Sequence, residues 1–174
     1  SSAASDVYKR QVPGYAINPS HDANGYHWSY DWNADQNQRN VLIKVAECYG
    51  KDLIVEGFSN SPPYFMTNSG CSSGSVNAGE NNLREDAYGA FASYLADVAQ
   101  HFSKEWGIHF QSMTAMNEPD TEYWHALSDK QEGCHFDPGE SQSVMIIALR
   151  EALDERGLND ILISGTDETG IDCQ

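Results

Sequence analysis

The sequence predicts an α/β fold of parallel strands joined by helical crossovers, an incomplete (β/α)8 TIM barrel containing roughly its third to fifth strands with their helices. Three observations lead there. Helix and strand patterns alternate three times, the helix-to-strand links are minimal, and the strand-to-helix links run from Ser59 to Asn81 and from Asn117 to Asp137. Long loops confined to one rim mark the carboxyl ends of parallel strands, where such folds keep their sites. A doubly wound sheet shares that asymmetry, but no Gly-x-Gly-x-x-Gly follows any strand, which argues against a nucleotide-binding sheet. A complete barrel takes about 250 residues, so 174 supply only part of one.

The elements follow in order. Ser1 to Gln11 has no apolar period and reads as an adapter-like, non-native tail, which leaves 12–174 as a partial barrel domain. Gly14 to Trp32 is rich in aromatics and reads as a rim loop. The first helix runs from an N-cap Asp35 to Tyr49, with Val41, Leu42 and Val45 on one stripe and Gly50 as its stop. Leu53 to Phe58 is too short for a helix and is expected as a parallel strand buried on both faces. Ser61-Pro62-Pro63 gives that strand a rigid exit.

Asn82 and Glu85 form a capping-box pattern ahead of the stripe Ala87, Phe91, Leu95, Val98 and Phe102, which ends at Gly107. Phe110 to Met116 is the next strand. Asp137-Pro138-Gly139-Glu140 resembles a helix start, with Met145, Leu149 and Leu153 as the apolar face up to Gly157. Ile161 to Thr166 is the last strand. Parallel strands with unpaired edges make the isolated polypeptide marginally stable and aggregation-prone on this reading.

Composition narrows the partners. Ten Lys+Arg against 26 Asp+Glu leave a net charge of −16, which repels phosphate backbones and anionic bilayers. Neither nucleic acid nor a membrane is expected as partner, and 40% hydrophobic residues with a mean hydropathy of −0.57 describe a soluble core. His21, His27, His125 and His135 lack the spacing of a zinc site, so no metal and no cofactor is expected.

Glu118 stands directly after the strand ending Thr114-Ala115-Met116, so its carboxyl is expected at the barrel mouth. Cleaving a glycosidic bond needs a carboxylic acid there to protonate the leaving oxygen and a second carboxylate across the sugar. Asn117 is placed to meet the sugar 2-hydroxyl. The alternative is a strand-end Glu spent on a salt bridge. Trp28, Trp32, Tyr64 and Trp124 are candidate platforms for sugar rings, with packing beneath the loops as the other reading.

Ser59-Asn60-Ser61-Pro62-Pro63-Tyr64-Phe65-Met66, Asn117-Glu118-Pro119-Asp120 and Lys130-Gln131-Glu132-Gly133-Cys134-His135-Phe136 occur in that order. With these motifs the chain, from about Gly14 onward, resembles glycoside hydrolase family 30 and within it the endo-β-1,6-galactanases. The resemblance implies a secreted retaining glycosidase, monomeric at full length, that binds a polysaccharide or oligosaccharide. It places the acid/base at Glu118 and the nucleophile on a seventh strand, outside this chain. Without that nucleophile the polypeptide is expected to hydrolyse nothing. Asp167 and Glu168 are the carboxylates on the neighbouring rim that are open as a substitute, or as cleft-lining groups. An exported relative also implies oxidising surroundings, and Cys71 and Cys134, in adjacent rim loops, are the expected disulfide. A β-1,6-glucanase or xylanase of the same family and a non-catalytic carbohydrate-binding relative are the competing readings.

Overall fold

The computed structural model describes residues 14–129 and 131–170; the adapter-like tail, Lys130 and Cys173 lie outside them. A hairpin of β1 (Ala16–Asp22) and β2 (Gly25–Tyr30) precedes α1 (Gln36–Tyr49). Then come β3 (Glu56–Phe58), α2 (Tyr88–Trp106), β4 (Ser112–Thr114), α3 (Glu140–Glu155) and β5 (Leu162–Ile163). β3, β4 and β5 form one parallel sheet in that order, with Glu56 opposite Ser112 and Ser112 opposite Leu162. No helix among the described residues is long and apolar enough to cross a membrane.

The aromatic segment 14–32 is this antiparallel hairpin rather than a rim loop. Tyr26, Trp28, Tyr30 and Trp32 alternate with polar residues and lean together along α2. The Tyr26 hydroxyl donates to Asp86 at 2.9 Å, Trp28 lies edge-on to Tyr94 at 6.4 Å, the Tyr30 hydroxyl donates to Asp97 at 2.5 Å, and Trp32 stacks on His101 at 3.7 Å. Two strand residues advance about 6.6 Å and four helical residues about 6 Å, so alternate strand positions track successive turns of the helix.

Gly57 and Met113 turn toward the helices and are buried, with the Phe110 ring so close that a Cβ on Gly57 would sit 2.9 Å from it. Burial on both faces is not found. Phe58 and Leu162, on the opposite face, are 45% and 70% exposed, although Thr114 on that face is buried. The ladders are also shorter than the apolar runs, although backbone bonds from Gln111 N–H to Val55 O and from Ser59 N–H to Thr114 O extend the pairing at 2.9 and 3.2 Å.

α2 buries Phe91, Leu95, Val98 and Phe102, the expected stripe, and α3 meets it with Met145, Leu149 and Leu153. Arg156 ties the pair at its far end, donating to Asp97 at 2.6 Å and to the Ser93 hydroxyl at 3.2 Å. Neither expected cap is a cap. α2 begins at Tyr88 after a 3-10 turn, Glu85–Ala87, and α3 follows Gly139, whose φ is +88°. Asn82, fully buried, donates from Nδ2 to Cys71 O at 3.2 Å and accepts from Ser69 N–H at 3.1 Å. Asp137 exchanges two hydrogen bonds with the Asn81 amide, at 2.6 and 2.7 Å. These side chains join the two long rim loops instead. Asp35 does precede α1, but its carboxylate accepts from the Tyr15 hydroxyl and pairs with Arg39 at 3.6 Å rather than capping backbone.

Candidate active site

The two long loops meet at the carboxyl ends of β3, β4 and β5. Ser75 and Trp124 exchange backbone bonds (Ser75 N–H to Trp124 O, 3.0 Å; Ala126 N–H to Ser75 O, 2.8 Å), and Gly133 N–H reaches Ser72 O at 2.9 Å. Between them the chain leaving β4 turns sharply at Glu118, whose φ of +44° is left-handed. A side-chain-bearing residue holds that conformation at a cost of about 1–2 kcal/mol, so surrounding bonds must enforce it.

They are present. Glu118 N–H donates to Asp167 O at 2.9 Å, which keeps the ends of β4 and β5 in parallel register at Asn117 and Asp167. The Glu118 carbonyl accepts from the Thr121 hydroxyl at 2.7 Å and from the Trp124 indole at 3.1 Å. Trp124 is 2% exposed and is clasped by two glycines. A Cβ on Gly133 would stand 2.1 Å from the indole ring, and one on Gly74 would stand 2.0 Å from the Trp124 carbonyl. Trp124 therefore serves as an anchor beneath the turn, not an open platform, because its ring is enclosed.

The backbone of Glu118 is thus fixed while the residue remains partly exposed at the rim. Oε2 accepts from the Tyr123 hydroxyl, and among the described residues no cation pairs with it, so the salt-bridge alternative is not what the structure contains. Burial, and secondarily this hydrogen bond to a carboxylate, raise the Tyr123 phenol above its ordinary range. Asn117 is 6% exposed, and its Nδ2 has no hydrogen-bond partner among the described residues.

Glu168 lies alongside. Its Oε1 accepts Asp120 N–H at 3.2 Å, and its Oε2 is buried without a hydrogen-bond partner among the described residues. Burial raises its carboxyl above the usual range, the nearby charges of Asp120 and Glu118 raise it further, and the Asp120 N–H and His135 oppose them. Asn117, Glu118, Tyr123, Trp124 and Glu168 are thus brought together. Tyr64 sits partly exposed in a 3-10 turn on the loop after β3, beside Phe65.

Trp28 and Trp32 are not brought to this cluster. α2 runs antiparallel to the strands, so Trp32, packed on His101 and Trp106 near its last turn, stands at the opposite end of the sheet from Glu118. Trp28 packs on Tyr94 and Phe65. A cavity of about 340 Å³ beside β3 is lined by Tyr15, Leu42, Gly57, Ser61, Tyr94 and Phe102 among others, and none of Asn117, Glu118 and Glu168 borders it.

The expected Cys71–Cys134 disulfide is not formed. Cys134 is a thiol, completely buried, whose Sγ–H points to the His135 carbonyl at 3.6 Å, and burial pushes it up to about 12. Among the described residues no three His, Cys, Asp or Glu side chains gather as metal ligands. His135, the most buried of the histidines singled out, is held between Thr121 O at 3.1 Å and Asp137 at 3.2 Å. Sequence reasoning missed the Tyr123 contact and this loop clasp, since both depend on how the left-handed turn folds back.

A carboxyl fixed at the end of a parallel strand, a buried amide beside it and a second carboxyl one strand away can transfer protons to and from a hydroxylated ligand. The chain is 40% identical to an endo-beta-1,6-galactanase of Hypocrea rufa over 161 residues, 92% of this chain and 32% of that protein. It thus spans about a third of the relative's length. Among solved structures, a conserved exported protein from Bacteroides fragilis superposes with a TM-score of 0.71 at 30% identity, covering 86% of this chain and 28% of the other. The catalytic domain of GH30 xylanase C from Talaromyces cellulolyticus shares the fold, with a TM-score of 0.67 at 21% identity over 90% of this chain and 35% of that one. The model of O-glycosyl hydrolase family 30 matches residues 17–164, and the chain belongs to that family.

Proposed function

We propose that residues 12–174 are part of the (β/α)8 catalytic domain of a secreted retaining glycosidase, endo-acting on the β-1,6-galactan side chains of arabinogalactans, in which Glu118 is the acid/base. The observation that carries this reading is the Glu118 turn: a partly exposed glutamate at the end of β4, its backbone locked left-handed by Asp167, Thr121 and Trp124. The 40% identity to a galactanase supports the choice of substrate, and the exported neighbour supports secretion.

In the first step Glu118 gives its proton to the glycosidic oxygen as the bond to the anomeric carbon breaks. A second carboxylate, about 5–5.5 Å away across the sugar, takes the anomeric carbon. In the second step Glu118, now a carboxylate, removes a proton from the water that releases the sugar. Asn117 donates to the 2-hydroxyl, a bond that strengthens as the ring gains oxocarbenium character. The nucleophile in this reading is supplied from outside the 174 residues. The test is product analysis with the encoding gene expressed in full: β-1,6-linked galacto-oligosaccharides released from arabinogalactan, and a loss of about 10²–10⁴-fold in kcat in Glu118→Gln. Unchanged turnover in that variant contradicts the assignment.

A further inference from the structure

Two polar atoms next to Glu118 are closed off from solvent with no hydrogen-bond partner among the described residues, Asn117 Nδ2 and Glu168 Oε2. Asn117 as a residue is 6% exposed. They lie on neighbouring strand ends, because Asn117 pairs in parallel with Asp167 and Glu118 N–H holds Asp167 O at 2.9 Å. Glu168 is oriented by its other oxygen, which takes the Asp120 N–H at 3.2 Å, so Oε2 is the atom left over. Burying a donor and an acceptor unpaired is costly, and native sites that do so are commonly completed by a ligand.

The two atoms are complementary in one particular way. An amide N–H needs an acceptor and a carboxylate oxygen needs a donor. A hydroxyl group is both, and it is small enough to serve two atoms at once. Of the other buried side-chain atoms without a hydrogen bond among the described residues, Asp35 Oδ1 is ion-paired with Arg39 at 3.6 Å, Arg150 Nε is on α3, and Ser73 Oγ is in the loop that clasps Trp124. The Tyr123 phenol, held on Glu118 and near enough to Glu168 to feel its charge, borders this corner.

We propose that Glu168 is a specificity-determining residue of this site, its Oε2 and Asn117 Nδ2 together binding one hydroxyl of a saccharide seated against Glu118 after the Tyr123 side chain has moved aside. The proposal rests on the reading of Glu118 as the residue that meets the glycosidic oxygen. It gives Glu168 a binding role distinct from that of a substitute nucleophile.

The test is titration of the protein expressed from the complete gene with β-1,6-galactobiose, followed by NMR through the Asn117 side-chain amide and the backbone amides of Glu118 and Glu168. Saturable shifts at all three are expected. Glu168→Ala weakens binding by about ten-fold or more, whereas Glu168→Gln, which keeps a polar atom in place, stays within about three-fold of the parent. Matching amide spectra away from the rim show that both variants are folded. If Asn117 and Glu118 shift but Glu168→Ala binds as tightly as the parent, the Glu168 proposal is overturned and the Glu118 reading stands. If the disaccharide causes no saturable shift, or shifts confined to residues away from Glu118, both are overturned.

Discussion

Replacing Trp124 by Phe separates an anchor from a sugar platform. The indole is 2% exposed and its N–H reaches the Glu118 carbonyl at 3.1 Å. That carbonyl keeps the Thr121 hydroxyl at 2.7 Å, so it is not orphaned and the lost bond costs the net value of about 1 kcal/mol. The smaller ring also leaves a gap. Gly133 and Gly74 already press against the tryptophan, and the backbone bonds from Ser75 and Gly133 hold that wall in place, which restricts collapse into the space. A cavity contribution of about 1–2 kcal/mol brings the loss to about 2–3 kcal/mol. Urea unfolding followed by circular dichroism measures it, and hydrogen exchange at Thr121, whose N–H also reaches the Glu118 carbonyl at 3.3 Å, reports the turn itself. Faster exchange at Thr121 accompanies the lower stability. An unchanged unfolding midpoint with weakened sugar binding would refute the reasoning and restore Trp124 as a platform.

Three other outcomes are expected. Gly133→Ala places a methyl 2.1 Å from the indole ring, so it displaces Trp124 and destabilises by at least as much as the Phe replacement, by the same urea assay. Iodoacetamide at pH 7 labels exposed Cys48 while Cys134, buried and pushed up to about 12, reacts only after unfolding; peptide mass mapping of early Cys134 labelling would contradict its burial. Glu168, with its folded pKa raised above the unfolded value, contributes stability fully present below the ordinary carboxyl range and lost as pH rises through its folded value. Relative to the parent, Glu168→Gln therefore gains stability as pH rises from the ordinary carboxyl range through the folded value, and a pH-independent difference in urea midpoints would contradict the raised carboxyl.

The helical crossovers were legible because burial repeats with the helix: Phe91, Leu95, Val98 and Phe102 recur at one angle and all go inside. The position of Glu118 was legible for a related reason, since an apolar run ending in Asn-Glu-Pro has few ways to leave a sheet. The hairpin was not. Tyr26, Trp28 and Tyr30 alternate as a strand does, and Asn24-Gly25 marks its turn, but so many aromatics in one stretch read as a cluster rather than as a period of two. Asn82 and Asp137 misled because the groups that cap helices also bind loop backbone, and only the tertiary fold decides between Cys71 O or Asn81 and a helix N-terminus. The strand was overread at Ile54, which lies outside β3 and is 81% exposed, and Leu162, although in β5, stays 70% exposed.

The most direct measurement of the central claim is a comparison of leaving groups, using Glu118→Ala in the protein expressed from the complete gene. A general acid matters for a sugar alcohol, which departs poorly without a proton, and hardly at all for dinitrophenolate, which departs unaided. With Glu118 as the acid, cleavage of β-1,6-galactan falls by about 10²–10⁴-fold while formation of the glycosyl-enzyme from dinitrophenyl β-galactoside is nearly unchanged. Added azide then speeds release of the sugar by replacing the water that Glu118 no longer activates. Equal losses on both substrates, with no effect of azide, would contradict the assignment of Glu118.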